Sequence, residues 1–182
     1  NSLLSSSMTQ ADAGAEREEG RLSFTIRAAV ADDAPAIAAL INGLADYERL
    51  RHESNPDIAK LRRHLDPTVD GPRLDTLLAE DAAGAPLGFA LCFPIYSTFL
   101  TNWSLFLEDL FVIPSARGQG IGGALLRRVA QLAVSRGCAR LEWRVLDWNT
   151  PAIEFYRHIG AVPLSDWETM RLDGSALIRY GR

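Results

Sequence analysis

Leu107-Glu108-Asp109-Leu110-Phe111-Val112-Ile113-Pro114-Ser115-Ala116-Arg117-Gly118-Gln119-Gly120-Ile121-Gly122-Gly123-Ala124-Leu125-Leu126 is the stretch that decides how this chain folds. It reads as an apolar strand carrying two acids, a short Pro-containing loop, an Arg, alternating glycines and then an amphipathic helix. Amides at the mouth of such a helix lack intrahelical partners, and the helix dipole favours an anion there. Glycines let phosphate oxygens come close to that backbone. The stretch is therefore a phosphate-binding device with acid–base groups one strand away. The plainer alternative is a Gly-rich turn that serves close helix–strand packing.

Working outward, three apolar runs precede the loop. Arg73 to Glu80 and Leu87 to Ile95 read as strands around the turn Asp81-Ala82-Ala83-Gly84-Ala85-Pro86. Tyr96 to Asn102 reads as a loop or irregular strand end, and Trp103 to Val112 as the third strand. Strands with no helices between them predict an antiparallel meander. Before it, Leu22 to Ala28 alternates as a first strand. Asp32, Asp33 and Pro35 start a helix with Ile37, Leu40, Ile41 and Leu44 on one face, reaching about Leu50. Asn55-Pro56-Asp57 starts a second helix through Leu65. After the glycines, Ile121, Leu125, Val129 and Leu132 share one helical face, and Gly137 stops that helix. Arg140 to Leu146 reads as a strand that makes a parallel crossover with the strand ending at Val112. Asn149-Thr150-Pro151 opens another helix that ends at Gly160. Ala161 to Leu164 and Thr169 to Leu172 read as extended, and Gly174 to Tyr180 as a final helix. The fold class is α/β, a mixed central β-sheet flanked by helices.

The 182 residues favour a single domain over 21–182, with the Ser- and Ala/Glu-rich residues 1–20 as a mobile tail. Met8 reads as the natural start, with Asn1 to Ser7 carried over from cloning. A net charge of −4 argues against nucleic acid as a partner. No apolar run approaches the roughly 20 residues that span a membrane. His52, His64 and His158 are scattered, so no metal site is expected. Cys92 and Cys138 lie in apolar surroundings and read as buried free thiols, which places the protein in the reducing cytoplasm.

The glycine run also fits Gly-x-Gly-x-x-Gly at Gly118, Gly120 and Gly123, with Glu142 about 20 residues on. A dinucleotide fold would place that fingerprint in an opening βαβ unit, whereas here it follows a meander in mid-chain. No Lys-Ser or Lys-Thr pair follows the glycines, which excludes a Walker loop.

Arg117-Gly118-Gln119-Gly120-Ile121-Gly122 resembles the Gln/Arg-x-x-Gly-x-Gly/Ala loop of the GNAT (Gcn5-related) N-acetyltransferases. Leu107 to Val112 resembles the strand before that loop. Asp147-Trp148-Asn149-Thr150-Pro151-Ala152-Ile153-Glu154-Phe155-Tyr156 resembles the family's Asn-x-x-x-x-x-Phe-Tyr segment. Within the family the likeness points to the spermidine/spermine (diamine) N-acetyltransferases, together with Ile26-Arg27-Ala28-Ala29 and Leu44-Ala45-Asp46-Tyr47-Glu48. It covers roughly residues 24–172.

The resemblance implies a GNAT-like (acyl-CoA N-acyltransferase) fold, acetyl-CoA as cofactor, a small-molecule amine as substrate and a homodimer; the alternatives on the same fold are a non-catalytic acyl-CoA-binding module and a transferase acting on a protein N-terminus or an antibiotic amine. It places the backbone of Leu110, Phe111 and Val112 along the pantetheine arm. Arg117, Gly118, Gln119, Gly120, Ile121, Gly122 and Gly123 would hold the pyrophosphate, with Asn149, Pro151 and Ala152 flanking the arm. Tyr156 would be the general acid and Glu108 the general base. Tyr47, Glu48, Glu108 and Asp109 would meet the amine. The chemistry agrees. An ammonium has no lone pair, so a carboxylate must take its proton before attack. The oxyanion needs a donor, which a strand amide supplies, and a departing thiolate is helped by a hydroxyl.

In the polyamine branch the segment after Glu48 is acidic; here it reads Arg49-Leu50-Arg51-His52. Ser97 to Thr101 also lacks the acid and Trp expected there. Positive charge repels a polyamine, so a small amine, either a diamine or a lysine-like amino acid, is expected over spermine. Arg49 or Arg51 is then placed to meet a substrate carboxylate.

Overall fold

The computed structural model describes residues 23–71 and 74–182. The expected tail, Met8, and the leading residues of two predicted strands, Leu22 and Arg73, lie outside the described residues. The chain divides into two units, one running to Arg144 and the other from Val145 to Arg182.

The first unit is built on a five-stranded mixed sheet in the order β1-β2-β3-β4-β5. The strands are β1 (Phe24–Ala28), β2 (Asp75–Asp81), β3 (Pro86–Ser97), β4 (Asn102–Val112) and β5 (Leu141–Trp143). The first four pair antiparallel, which is the expected meander, and β5 joins β4 in parallel. β3 and β4 are longer than their apolar runs suggest. Tyr96 lies opposite Trp103, their rings meeting edge to face at 5.2 Å, so the hairpin zips up to Ser97 and Asn102. β5 is shorter than the predicted Arg140–Leu146, because only Leu141, Glu142 and Trp143 find partners on β4.

Two helices precede β2: α1 (Ala34–Tyr47) and α2 (Ile58–Leu65). Pro35 sits in the first turn of α1, where its missing N–H costs nothing. α1 ends at Tyr47, three residues before the expected Leu50. Arg49 turns left-handed at φ 62°, and the Leu50 amide bonds back to the Ala45 carbonyl at 2.8 Å, closing the helix. Asp57 caps α2 by accepting from the Lys60 amide at 3.0 Å. The helices pack Ala34, Ile37, Leu40 and Leu65 against Leu78, Phe89, Leu91 and Phe111 of the sheet.

α3 (Ile121–Ser135) buries Ile121, Leu125, Leu126, Val129 and Ala133. Its Gly122 approaches Leu110 and Val112. Since Phe111 faces α1 and alternate strand residues face opposite sides, α1 and α3 cover the two faces of the sheet. Arg27 of β1 donates to both Asp33 and Glu80, with contacts of 2.7–2.8 Å, tying β1, the turn before α1 and β2 together. Cys92 is fully buried as expected. Cys138 is only partly buried, because it follows Gly137, which ends α3 in a left-handed turn at φ 66°.

The second unit holds α4 (Thr150–His158) and α5 (Gly174–Tyr180). Pro151 opens α4, and Gly160 turns left-handed just past its end. The predicted extended segments Ala161–Leu164 and Thr169–Leu172 form no strand; a run that alternates becomes a strand only beside a pairing edge.

Candidate active site

β4 carries the two acids, and its pairing explains how they are presented. Opposite β3 the register runs from Asp109↔Leu91 straight to Leu107↔Cys92, so Glu108 has no partner. It is the extra residue of a β-bulge, a device that re-aims a side chain. Glu108 is exposed, whereas Leu107 is buried and Asp109 half-buried. Burial first, then the charges of Glu108 and Glu48, push the Asp109 carboxyl up to about 6. Burial also raises Glu48, which follows the last residue of α1. The charges of two other predicted amine-facing residues, Glu48 and Glu108, thus reach Asp109.

On its other edge β4 pairs with β5 only through Leu105, Phe106 and Leu107. Among the described residues no strand pairs with that edge from Glu108 to Val112. An extended ligand could add there as a strand would. Leu110, Phe111 and Val112, predicted to run along the pantetheine arm, lie in this stretch.

Beyond β4 a short 3-10 turn, Pro114–Ala116, leads into the glycines. Gly118 and Gly120 hold φ of 77° and 83°, left-handed values that side chains resist, while a Cβ at Gly118 would meet nothing within 4 Å. Gly118 is therefore needed for its backbone conformation. Gly120 caps α3, aiming the first amides of the helix outward from Ile121, Gly122 and Gly123. Gly122 does serve close packing on Leu110 and Val112, so the plainer alternative holds for that one position.

Arg117 is held on several sides. Its Nε donates to the Val112 carbonyl at 3.0 Å. Its guanidinium lies 4.5 Å from the centre of the Tyr47 ring and 5.6 Å from that of Phe111. Tyr47, expected at the amine, thus stacks on the arginine beside the glycine loop. Nothing in the local sequence signals this contact.

Asn149, Pro151, Ala152 and Tyr156 belong to the second unit. Asn149 stands at the cap position of α4 but makes no side-chain cap hydrogen bond. Burial raises the Tyr156 phenol above its ordinary value, so it stays protonated at neutral pH. Among the described residues no group of three or more His, Cys, Asp or Glu could hold a metal, and no helix is long and apolar enough to cross a membrane.

A mixed sheet with a bulged acid-bearing strand, a strand edge that no described strand pairs with and a glycine-primed helix mouth is an arrangement that comparison identifies. Residues 37–161 match the acetyltransferase (GNAT) family. The chain is 36% identical over 165 residues to thialysine N-epsilon-acetyltransferase of Sus scrofa, covering 85% of this chain and 95% of that protein. It is 31% identical over 199 residues to L-ornithine N5-acetyltransferase of Arabidopsis thaliana, covering 86% and 87% respectively. Among solved structures, the integron cassette protein VCH_CASS6 from the mobile metagenome of V. cholerae superposes with a TM-score of 0.72. It is 24% identical, and the match covers 88% of this chain and 99% of that one. The chain belongs to the acetyltransferase (GNAT) family and is an N-acetyltransferase.

Proposed function

We propose that this enzyme transfers acetyl from acetyl-CoA to the side-chain amine of a small amino acid of the lysine or ornithine type, or to a short diamine. The observation that carries the reading is the bulge that presents Glu108 next to the half-buried Asp109 on the stretch of β4 with which no described strand pairs. Two relatives, matched over 95% and 87% of their own lengths, act, by name, on thialysine and L-ornithine, both amino acids with a terminal side-chain amine.

The residues suit the cofactor. The left-handed glycines and free amides at the mouth of α3 suit a pyrophosphate, and the edge from Glu108 to Val112 suits an extended arm. Acetyl-CoA supplies the acetyl group. Glu108, exposed on its bulge, takes the proton from the arriving ammonium, directly or through water. Asp109, poised near 6, gives the acid pair a second acceptor in the working pH range. A β4 amide donates to the developing oxyanion. Tyr156 would give its own phenolic proton to the leaving sulfur, a role that rests on the family resemblance. The homodimer rests on the same resemblance, and the cytoplasmic setting on the two free thiols.

Of the two arginines after Glu48, Arg51 is tied to Asp46 at 3.5 Å and to the Ser54 carbonyl at 3.0 Å. Both flank the end of α1 and are exposed. An amine panel with a thiol-release readout tests the proposal: ornithine, lysine, thialysine, short diamines, spermidine and spermine, each with acetyl-CoA. Highest kcat/KM on amino acids or short diamines is the expected result. Preference for spermine would overturn the substrate class. Tight acetyl-CoA binding with no CoA release from any amine would overturn the reaction.

A further inference from the structure

The contact between Tyr47 and Arg117 joins two parts of the molecule that the sequence treats as separate. Tyr47 is the last residue of α1, and the charge of Glu48 beside it reaches Asp109 of β4. Arg117 is the residue before Gly118, the first left-handed glycine of the loop. Its guanidinium stacks on Tyr47, stands over Phe111, and anchors through Nε to the carbonyl that ends β4. A planar cation held by a ring and a carbonyl has few orientations left. The arginine is therefore fixed before any ligand arrives, and so is the chain leaving it toward Gly118.

α1 is set at the right height for this by Gly43. A Cβ there would lie 3.0 and 3.1 Å from two Phe111 ring carbons, so glycine lets the helix settle onto that ring. Gly43, Phe111, Arg117 and Tyr47 thus form one packed chain of contacts from α1 to the glycine loop.

We propose that Tyr47 is a positioning residue for the cofactor loop, holding Arg117, and through it the loop, in the conformation that receives the CoA pyrophosphate. The inference rests on the cofactor reading above. It reassigns Tyr47 from the amine to the cofactor. Preorganisation of this kind improves affinity by lowering the ordering cost of binding.

The test is calorimetric titration with CoA at 25 °C of the wild type, Tyr47→Leu, Tyr47→Phe, Arg117→Lys and the Tyr47→Leu/Arg117→Lys double variant. Losing a cation–π contact of this exposure should weaken CoA binding about 5-fold in Tyr47→Leu. Tyr47→Phe keeps the ring face and should stay within about 2-fold of the wild type. Arg117→Lys loses the planar stack, so the double variant should be no weaker than the worse single one. Tyr47 is partly exposed, and a purely structural loss would lower the melting temperature without moving Kd where nearly all the protein is folded. CoA binding unchanged in Tyr47→Leu, or losses that add in the double variant, would overturn the inference alone. No CoA binding by the wild type would overturn the cofactor reading and the inference with it.

Discussion

Replacing Asp109 by Asn should stabilise this protein, and only above mildly acidic pH. The Asp109 carboxyl is pushed from an ordinary 3.8 to about 6 by burial and by Glu108 and Glu48. A raised carboxyl means that the folded state binds the proton more tightly than the unfolded chain does. Its contribution is fully present below 3.8 and is lost as pH rises through 6. At 1.36 kcal/mol per tenfold change, the whole loss is about 3 kcal/mol, most of it between pH 4 and 7. Asn keeps the shape of the side chain and removes the charge, so it escapes that loss. Asp33 and Asp66 pull the other way. Hydrogen bonds from Arg27 to Asp33, and from Thr68 to Asp66, hold them below their ordinary values, so their contribution is lost as pH falls. Comparing the variant with the wild type cancels these terms. Urea unfolding at pH 4.0 and 7.5 is the assay. With a slope of about 2 kcal/mol per molar urea, the variant's midpoint should lie about 1.5 M higher at pH 7.5 and within about 0.3 M of the wild type at pH 4.0. Equal midpoint differences at the two pH values would refute the account, since no proton would then separate the folded and unfolded states at this site.

Tyr156→Phe should lower kcat by about 10²-fold or more, the usual range for a general acid, while CoA affinity by calorimetry stays unchanged. Arg49→Gly should raise stability by about 0.5–1 kcal/mol, because a left-handed φ of 62° is strained for any residue with a Cβ; thermal melts check it. If Arg49 also meets a substrate carboxylate, the same variant raises KM for ornithine and leaves that for a short diamine in place. Gly43→Ala gains about 1 kcal/mol of helix propensity but forces the Phe111 ring aside, and overpacking of that kind costs about 1–3 kcal/mol. A lower melting temperature is expected, and a higher one would mean that the ring yields freely.

Much of the architecture is legible locally. The helical faces of α1 and α3 follow from apolar spacing, and Asp57 announces α2 because a cap and its amide lie three residues apart. The meander follows from consecutive apolar runs. What the sequence hides is pairing. β5 ends at Trp143 and the stretch from Ala161 to Leu172 forms no strand, because extended runs need a neighbouring edge that no window of sequence contains. The bulge at Glu108 is hidden for the same reason: an extra residue is extra only relative to β3. Of the site, the acids and glycines could be named, but the partnership of Tyr47 and Arg117 joins residues far apart in the chain through a turn of α1 that ends earlier than its pattern suggests.

The end of α1 bears on substrate choice in two ways of unequal strength. Arg49, Arg51 and His52 are exposed. A unit charge about 8 Å from another in water contributes only about 0.5 kcal/mol, and salt reduces it further. Arg51 is also part-neutralised by Asp46. These cations can disfavour a polyamine by a few-fold at most. Glu48 and Asp109 are half-buried, where the effective dielectric is lower and the same separation is worth several times more. Under the proposed reading, the attraction for the reacting ammonium therefore comes from the half-buried acids, and the exposed cations only tune the preference for the group at the substrate's far end. A carboxylate there gains from Arg49, and a second ammonium loses. That asymmetry favours an amino acid with a terminal amine over a long polycation.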